Sequence, residues 1–264
     1  MKIIGEKING TLSKVRAAIE KRDVEYIQQL AASQIEAGVD WLDVNAGTSP
    51  ERELEDLLWL IQCVQEVADV PLCLDSANPE PLAEAVHAAD KTPIINSISL
   101  EKQKVEKILP VVKDNDCDVI ALAMDDDGIP QNTEERLKII DRLLEVTESV
   151  GIPAEKVYID PLVMAAATNT ESGNIALSTI KKTAEKYPTV HFCAGLSNIS
   201  FGLPHRSIIN QAFVTLAVSV GLDTAILNPL DRGLRGTILA AELLLGRDRH
   251  CQRYTKASKK GVIG

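Results

Sequence analysis

PLCLDSANPEPLAEAVHAADKTPIINS, residues 71–97, has a short apolar run at each end and a segment that we interpret as a helix between them. Short apolar runs of this kind are typical of strands that are covered on both faces. Each run carries one polar side chain near its end, Asp75 in the first and Asn96 in the second. Parallel α/β folds build their sites at the carboxyl ends of such strands. The stretch therefore predicts a strand, a helix and a second strand that together form part of a binding site.

The same pattern continues along the whole chain. Eight strands, each followed by a helical segment, are predicted at residues 2–8, 41–45, 71–75, 93–97, 118–124, 156–160, 190–196 and 224–228. Eight alternating units in 264 residues predict a (β/α)8 TIM barrel, with a doubly wound open sheet as the alternative. No low-complexity linker divides the chain, so a single domain over residues 1–264 is expected.

Two helical segments carry specific signals. In the fourth unit Val105, Ile108 and Val112 lie on one helical face, and Pro110 within that segment predicts a kink or a first-turn position. In the fifth unit Asn132 followed three residues later by Glu135 resembles an N-terminal capping pair.

Composition and charge exclude several classes of partner. The net charge of −10 offers no positive field for a nucleic acid or an anionic membrane surface. The N-terminal residues MKIIGEKING lack the apolar region of a signal peptide, and no stretch approaches the roughly 18 apolar residues of a spanning helix. The five cysteines show no CxxC spacing, which argues against a disulfide framework or a zinc ribbon. A cytoplasmic location is expected.

Four polar residues follow apolar runs at equivalent points of their units: Asp75 in CLDS, Asn96 in IINS, Asp160 in YIDP and Asn198 in GLSN. Any one of them could simply cap the next helix, as could Asp43 and Asn45 in LDVNAG. Capping does not explain why they recur at the same point of several strands. Two carboxylates and two carboxamides at one barrel mouth suit a flat heterocycle with many donors and acceptors.

Metal and phosphate sites have weaker support. His191 and Cys193 share one face of a strand, as two zinc ligands would, but no third ligand is evident, so no metal is expected. The run from Asp125 to Asp127 is followed by Gly128 and Pro130 and is interpreted as a solvated turn. Neither GxGxxG nor GxxxxGK[ST] occurs in the chain.

Six motifs, taken in order, resemble those of one known family: IIGEKING, LDVNAG, CLDS, IINS, YIDPL and GLSNIS. The chain is similar to the methyltetrahydrofolate:corrinoid protein methyltransferases and to the folate domain of cobalamin-dependent methionine synthase. The resemblance implies a pterin-binding TIM barrel, usually a homodimer, that acts in one-carbon metabolism. Its substrate would be 5-methyltetrahydrofolate, whose methyl group passes to Co(I) of a separate corrinoid protein, or the reverse.

The resemblance also implies roles for individual residues. The family's pterin contacts fall on Asp75, Asn96 and Asp160, and its catalytic asparagine falls on Asn198. Arg206 and Glu6 are implied as further substrate contacts. Phe201 departs from the acetogenic enzymes, which have a glutamine there, but the methionine synthase folate domain also has phenylalanine.

The chemistry of a pterin fits these residue types. A carboxylate accepts two N–H bonds from the amino-pyrimidine edge, while Asn198 can donate to N5 as the bond to the methyl carbon breaks and Asp160 holds the proton reserve. The chain has no DxHxxG cobalamin signature, so the corrinoid must come from a partner protein.

Three other functions remain open. A dihydropteroate synthase would need basic residues after the seventh strand, where SNISFGLPHRS has no lysine. A zinc thiol methyltransferase would use His191 and Cys193 as ligands. A non-catalytic pterin- or corrinoid-binding accessory protein would have no reason to keep Asn198.

Overall fold

The fold is a closed barrel of eight parallel strands, in a computed structural model that describes residues 1–263. The strands pair in chain order, and the last one pairs with the first. They are β1 (Lys2–Asn9), β2 (Trp41–Asn45), β3 (Leu72–Asp75), β4 (Ile94–Ile98), β5 (Asp118–Leu122), β6 (Val157–Asp160), β7 (His191–Gly195) and β8 (Thr224–Leu227).

Helices surround this barrel. They are α1 (Ser13–Lys21), α2 (Val24–Glu36), α3 (Pro50–Gln65), α4 (Pro79–Val86), α5 (Lys102–Lys107), α6 (Leu109–Asp114), α7 (Thr133–Ser149), α8 (Ser172–Lys186), α9 (Arg206–Val220), α10 (Arg232–Leu244) and α11 (Gln252–Lys259). The predicted TIM barrel is confirmed, and the open sheet is wrong because β1 pairs with β8. All eight predicted strands are present, with ends that differ by at most two residues.

Local sequence signals decide where helices begin. The predicted kink in the fourth unit is confirmed, because the segment divides into α5 and α6 with Pro110 in the first turn of the second helix. Asn132 caps α7, where its Oδ1 accepts a hydrogen bond from the Glu135 backbone N–H at 2.9 Å.

The apolar core has two layers. The larger one fills the space between the strands and the helices. The smaller one lies inside the barrel, where seven buried side chains project from seven strands: Ile4, Trp41, Cys73, Ile94, Ile120, Tyr158 and Cys193. The barrel is therefore packed below its mouth rather than open along its axis.

Polar side chains close the amino-terminal end of the barrel. The Lys2 ammonium donates to the Tyr158 hydroxyl at 3.2 Å and lies 4.9 Å from the centre of the Trp41 ring. The Tyr158 ring stacks on His191 with 4.8 Å between centroids, and His191 Nδ1 is 2.7 Å from Asp223 Oδ2. We call these five residues the barrel floor.

Helix α9 differs from the other outer helices in its surface. After Arg206 it contains no charged residue, and Ile208 and Leu216 are 68% and 53% exposed on its outer side. Large apolar side chains grouped on one helix face mark an interaction surface. Across residues 1–263 none of the helices is long and apolar enough to cross a membrane.

Candidate active site

The alternation of side chains along each strand brings the predicted site residues to one mouth. Trp41, Cys73, Ile94 and Tyr158 face the barrel interior, so the residue two positions after each faces the interior as well. Those residues are Asp43, Asp75, Asn96 and Asp160. Glu6 follows Ile4 on β1 in the same way.

Two adjoining cavities open at this mouth and share Asp75. The first, of about 590 Å³, is lined by Asn45, Asp75, Asn96 and Lys104 among others. The second, of about 680 Å³, is lined by residues that include Glu6, Asp43, Asp75, Asn198 and Arg206. Asp75 therefore stands between a side that contains Asn45 and Asn96 and a side that contains Asn198.

Asp75 ends β3 and has a polar environment. Asn45 Nδ2 donates to its Oδ2 at 2.7 Å. Burial raises the pKa of Asp75, while the Asn45 hydrogen bond and the Lys104 ammonium act in the opposite direction. Asn45, which the sequence also allowed as a simple cap, orients the carboxylate instead.

Asp160 ends β6 and lines neither of the two cavities. Its Oδ1 accepts a hydrogen bond from the Leu162 backbone N–H at 2.7 Å, so it holds a turn rather than a helix start. The buried Arg136 donates to the backbone oxygens of Pro161 and Leu162 and holds this turn in place. Burial raises the pKa of Asp160 to about 6, against a smaller opposing effect of the Leu162 N–H bond and Arg136.

Asp43, which the sequence allowed as a simple cap, lines the second cavity. It is only 2% exposed, and its Oδ1 has no hydrogen-bond partner among the described residues. Burial, and then the neighbouring Asp75, hold the pKa of Asp43 well above its usual range. Burial also raises the pKa of Glu6. The mouth thus contains carboxyl groups whose affinity for a proton is increased.

A change of register in β1 places more of this segment at the mouth. The pairing of β1 with β2 shifts between Gly5 and Ile8, which is a β-bulge at Glu6 and Lys7. Both side chains line the second cavity. Bulges are common beside active sites because they redirect side chains.

Asn198 lies three residues beyond β7, in a 3-10 turn from Leu196 to Ser200, so its predicted place at the strand end is corrected. The turn carries the side chain out to the cavity, where it is exposed. Arg206 braces the turn, since its Nη2 donates to the Ser197 carbonyl at 2.8 Å and its Nε donates to Ser200 Oγ at 3.0 Å. The Phe201 ring lies 5.8 Å from the Arg206 guanidinium and presents an apolar surface to the cavity.

The two possible metal ligands on β7 have other surroundings in the structure. Cys193 is buried in the barrel interior, and His191 pairs with Asp223 in the barrel floor. Asp125 and Gly128 form the predicted turn through a bridge between their backbones. Within residues 1–263 no three His, Cys, Asp or Glu side chains form a group that could hold a metal ion.

The sequence matches the family described as pterin binding enzyme over residues 5–228. This chain belongs to the pterin-binding enzyme family. It is 41% identical to the methylcorrinoid:tetrahydrofolate methyltransferase of Eubacterium limosum, over all of this chain and 98% of that protein. It is also 28% identical to the methionine synthase of Mycobacterium leprae, over 86% of this chain and 20% of that longer protein. The family predicted from the six motifs is confirmed.

Solved structures of dihydropteroate synthases share the barrel. Dihydropteroate synthases of Yersinia pestis and Vibrio fischeri superpose with TM-scores of 0.72 at 16% identity, over 93% of both chains in each case. That of Xanthomonas albilineans in complex with 7,8-dihydropteroate has a TM-score of 0.66 at 18% identity, over 94% of this chain and 93% of that one. At this identity the likeness shows the fold alone.

Proposed function

We propose that this pterin-binding enzyme is a methyltransferase that moves the N5 methyl group between 5-methyltetrahydrofolate and the cobalt of a corrinoid on a separate protein. The observation that carries the proposal is the position of Asp75, with carboxamides on one side and the Asn198 turn on the other. The 41% identity to the methylcorrinoid:tetrahydrofolate methyltransferase of Eubacterium limosum supports this reaction class.

Recognition of the pterin rests on the inward side chains at the strand ends. We assign the amino-pyrimidine edge to Asp75 and Asn96, because a carboxylate accepts two N–H bonds and a carboxamide both donates and accepts. Asn45 already holds one carboxylate oxygen of Asp75, which fixes the plane of the group before substrate binds. Glu6 and Arg206 line the second cavity and are assigned as further folate contacts.

The methyl-transfer step needs help at N5. The lone pair of Co(I) attacks the methyl carbon, the carbon–nitrogen bond breaks with its electrons on N5, and N5 takes up a proton. We assign Asn198 as the donor to N5, a contact that strengthens as charge develops in the transition state. Asp160, whose pKa burial raises to about 6, is assigned as the proton reserve for this step, and because it lines neither cavity its proton would reach N5 through water.

The corrinoid partner has to dock at the barrel mouth, where the two cavities open. The complex must be transient so that the methylated partner can leave, and its interface is therefore expected to be modest and wet. We further propose that the protein is a homodimer and that the exposed apolar face of α9 forms the contact between copies. Its cytoplasmic location stays a prediction.

A single assay tests the reaction. The protein is mixed with 5-methyltetrahydrofolate and photoreduced cobalamin, and the Co(I) absorbance is followed in the absence of oxygen. Loss of Co(I) with stoichiometric formation of methylcobalamin and tetrahydrofolate supports the proposal. Tight folate binding without any transfer, either to free cobalamin or to corrinoid proteins, would support a non-catalytic binding protein instead. The Asn198→Ala variant is the control for background transfer.

A further inference from the structure

Lys104, which lines the first cavity, has no role in the proposed methyl transfer. Lys104 lies in α5 and is only 8% exposed, which is unusual for this residue type. Its Nζ donates to the backbone carbonyl of Ser76 at 3.2 Å, directly after Asp75. Burial lowers the pKa of Lys104, while neighbouring carboxylates act against this change. A buried ammonium at a ligand cavity requires a physical reason.

The surroundings of Lys104 supply that reason. Glu101, Asp75 and Glu53 are the carboxylates that interact with its charge. Glu53 is itself buried and accepts a hydrogen bond from Ser76 Oγ at 2.5 Å and another from Asn78 Nδ2. Lys104 is thus a buried cation that interacts with three carboxylates.

Asp75 interacts with titratable groups from the barrel and from two helices, and Glu101 and Asp126 line the same cavity. The interacting groups are Asp43 and Cys73 from the barrel interior, Glu53 from α3, and Lys104 from α5. All of these except Lys104 disfavour a negative charge on Asp75 when they are ionised themselves, and burial disfavours it further. Only Lys104 and the Asn45 hydrogen bond favour the ionised form.

We propose that Lys104 is a positioning residue that keeps Asp75 ionised, so that Asp75 can accept two N–H bonds from the pterin edge. A protonated Asp75 would present one O–H donor to an edge that itself donates, and one hydrogen bond would be lost. The proposal rests on the proposed function, because it takes the pterin as the ligand of Asp75. It assigns Lys104 a role in recognition and none in the transfer step.

The test compares folate binding by Lys104→Met, Lys104→Arg and the parent across pH 5.5 to 9. Lys107→Met is the matched control, since Lys107 lies on the same helix but pairs with Glu80 on the surface. Affinities are measured by calorimetry with 5-methyltetrahydrofolate, and folding is checked by melting curves at each pH. Single-turnover rates at saturating folate separate binding from transfer.

We expect Lys104→Met to bind folate more weakly than the parent at the lower pH values, by at most about tenfold for each unit by which loss of the lysine raises the pKa of Asp75. The loss should diminish toward pH 9 as Asp75 ionises without the lysine. Lys104→Arg should restore part of the affinity, and Lys107→Met should behave as the parent. Transfer rates at saturation should change little.

Two results would overturn the role of Lys104. If Lys104→Met binds folate like the parent at every pH, the charge of Lys104 does not affect binding. If the variant loses the same affinity at every pH, Lys104 only supports the structure of the site. A parent protein that does not bind the folate at all would refute the proposed function as well. The two failures are therefore distinguishable.

Discussion

Replacing Asp160 by Asn should make the protein more stable at neutral pH and less active. In the folded protein the pKa of Asp160 is about 6, compared with 3.8 for an unperturbed aspartate. The folded state therefore binds the proton more tightly than the unfolded state does. Protonated Asp160 contributes its full stability below pH 4, and this contribution is lost as the pH rises through 6.

The size of the effect follows from the shift. A difference of about two pKa units corresponds to at most about 3 kcal/mol at pH 8, and water at the partly exposed carboxylate reduces this to about 1–3 kcal/mol. Asn keeps the oxygen that accepts the Leu162 N–H bond, so the turn should remain. A gain of this size raises Tm by about 2–5 °C in a chain of this length.

Urea unfolding and melting curves at pH 4, 6 and 8 measure this gain, with Asp127→Asn in the exposed turn as the control. The difference between Asp160→Asn and the parent should be near zero at pH 4 and largest at pH 8. If Asp160→Asn is no more stable than the parent at pH 8, or if it gains the same stability at every pH, ionisation of Asp160 does not destabilise the folded protein. Methyl transfer by Asp160→Asn should fall because the proton reserve is gone.

Four further predictions concern single features of the molecule. Asp75→Ala should weaken folate binding by about 1.5–3 kcal/mol in calorimetry, and parental affinity would place the pterin elsewhere. Asn198→Ala should lower the single-turnover rate by on the order of 10²–10³ while folate affinity falls much less, whereas a proportional loss of both would mean that the turn has simply collapsed. Chelation of the purified enzyme should leave the rate unchanged, and a loss that zinc restores would implicate His191 and Cys193. Ile208→Arg should convert a dimer into monomers in analytical ultracentrifugation, and an unchanged dimer mass would move the interface away from α9.

Strands and inward-facing residues were predictable because they depend on short-range patterns. A run such as VYID fixes both a buried strand and, through the period of two, the face on which Asp160 lies. The capping role of Asn132 depends only on the next three residues, and the sequence shows it directly. A single domain over residues 1–264 stays a prediction.

Lys104 and Asn45 could not be assigned from the sequence. The segment KQKVEK around Lys104 looks like the solvated face of a helix, and only closure of the barrel brings it against Ser76, 28 residues earlier. Asn45 is compatible with an ordinary cap until its partner on the next strand is known. Asn198 was predicted at the end of β7 but lies in the 3-10 turn that follows the strand, and apolar periodicity does not reveal such a turn.

The barrel floor has a consequence for the order of events in catalysis. Because Lys2, Tyr158 and Trp41 fill the far end, folate enters through the same mouth that the corrinoid protein has to cover. A docked corrinoid protein would block the entry and exit of folate. Turnover should therefore follow a compulsory sequence in which folate arrives before the partner and departs after it. Inhibition by an unreactive folate analogue should then be competitive toward folate and should not be relieved by excess corrinoid protein.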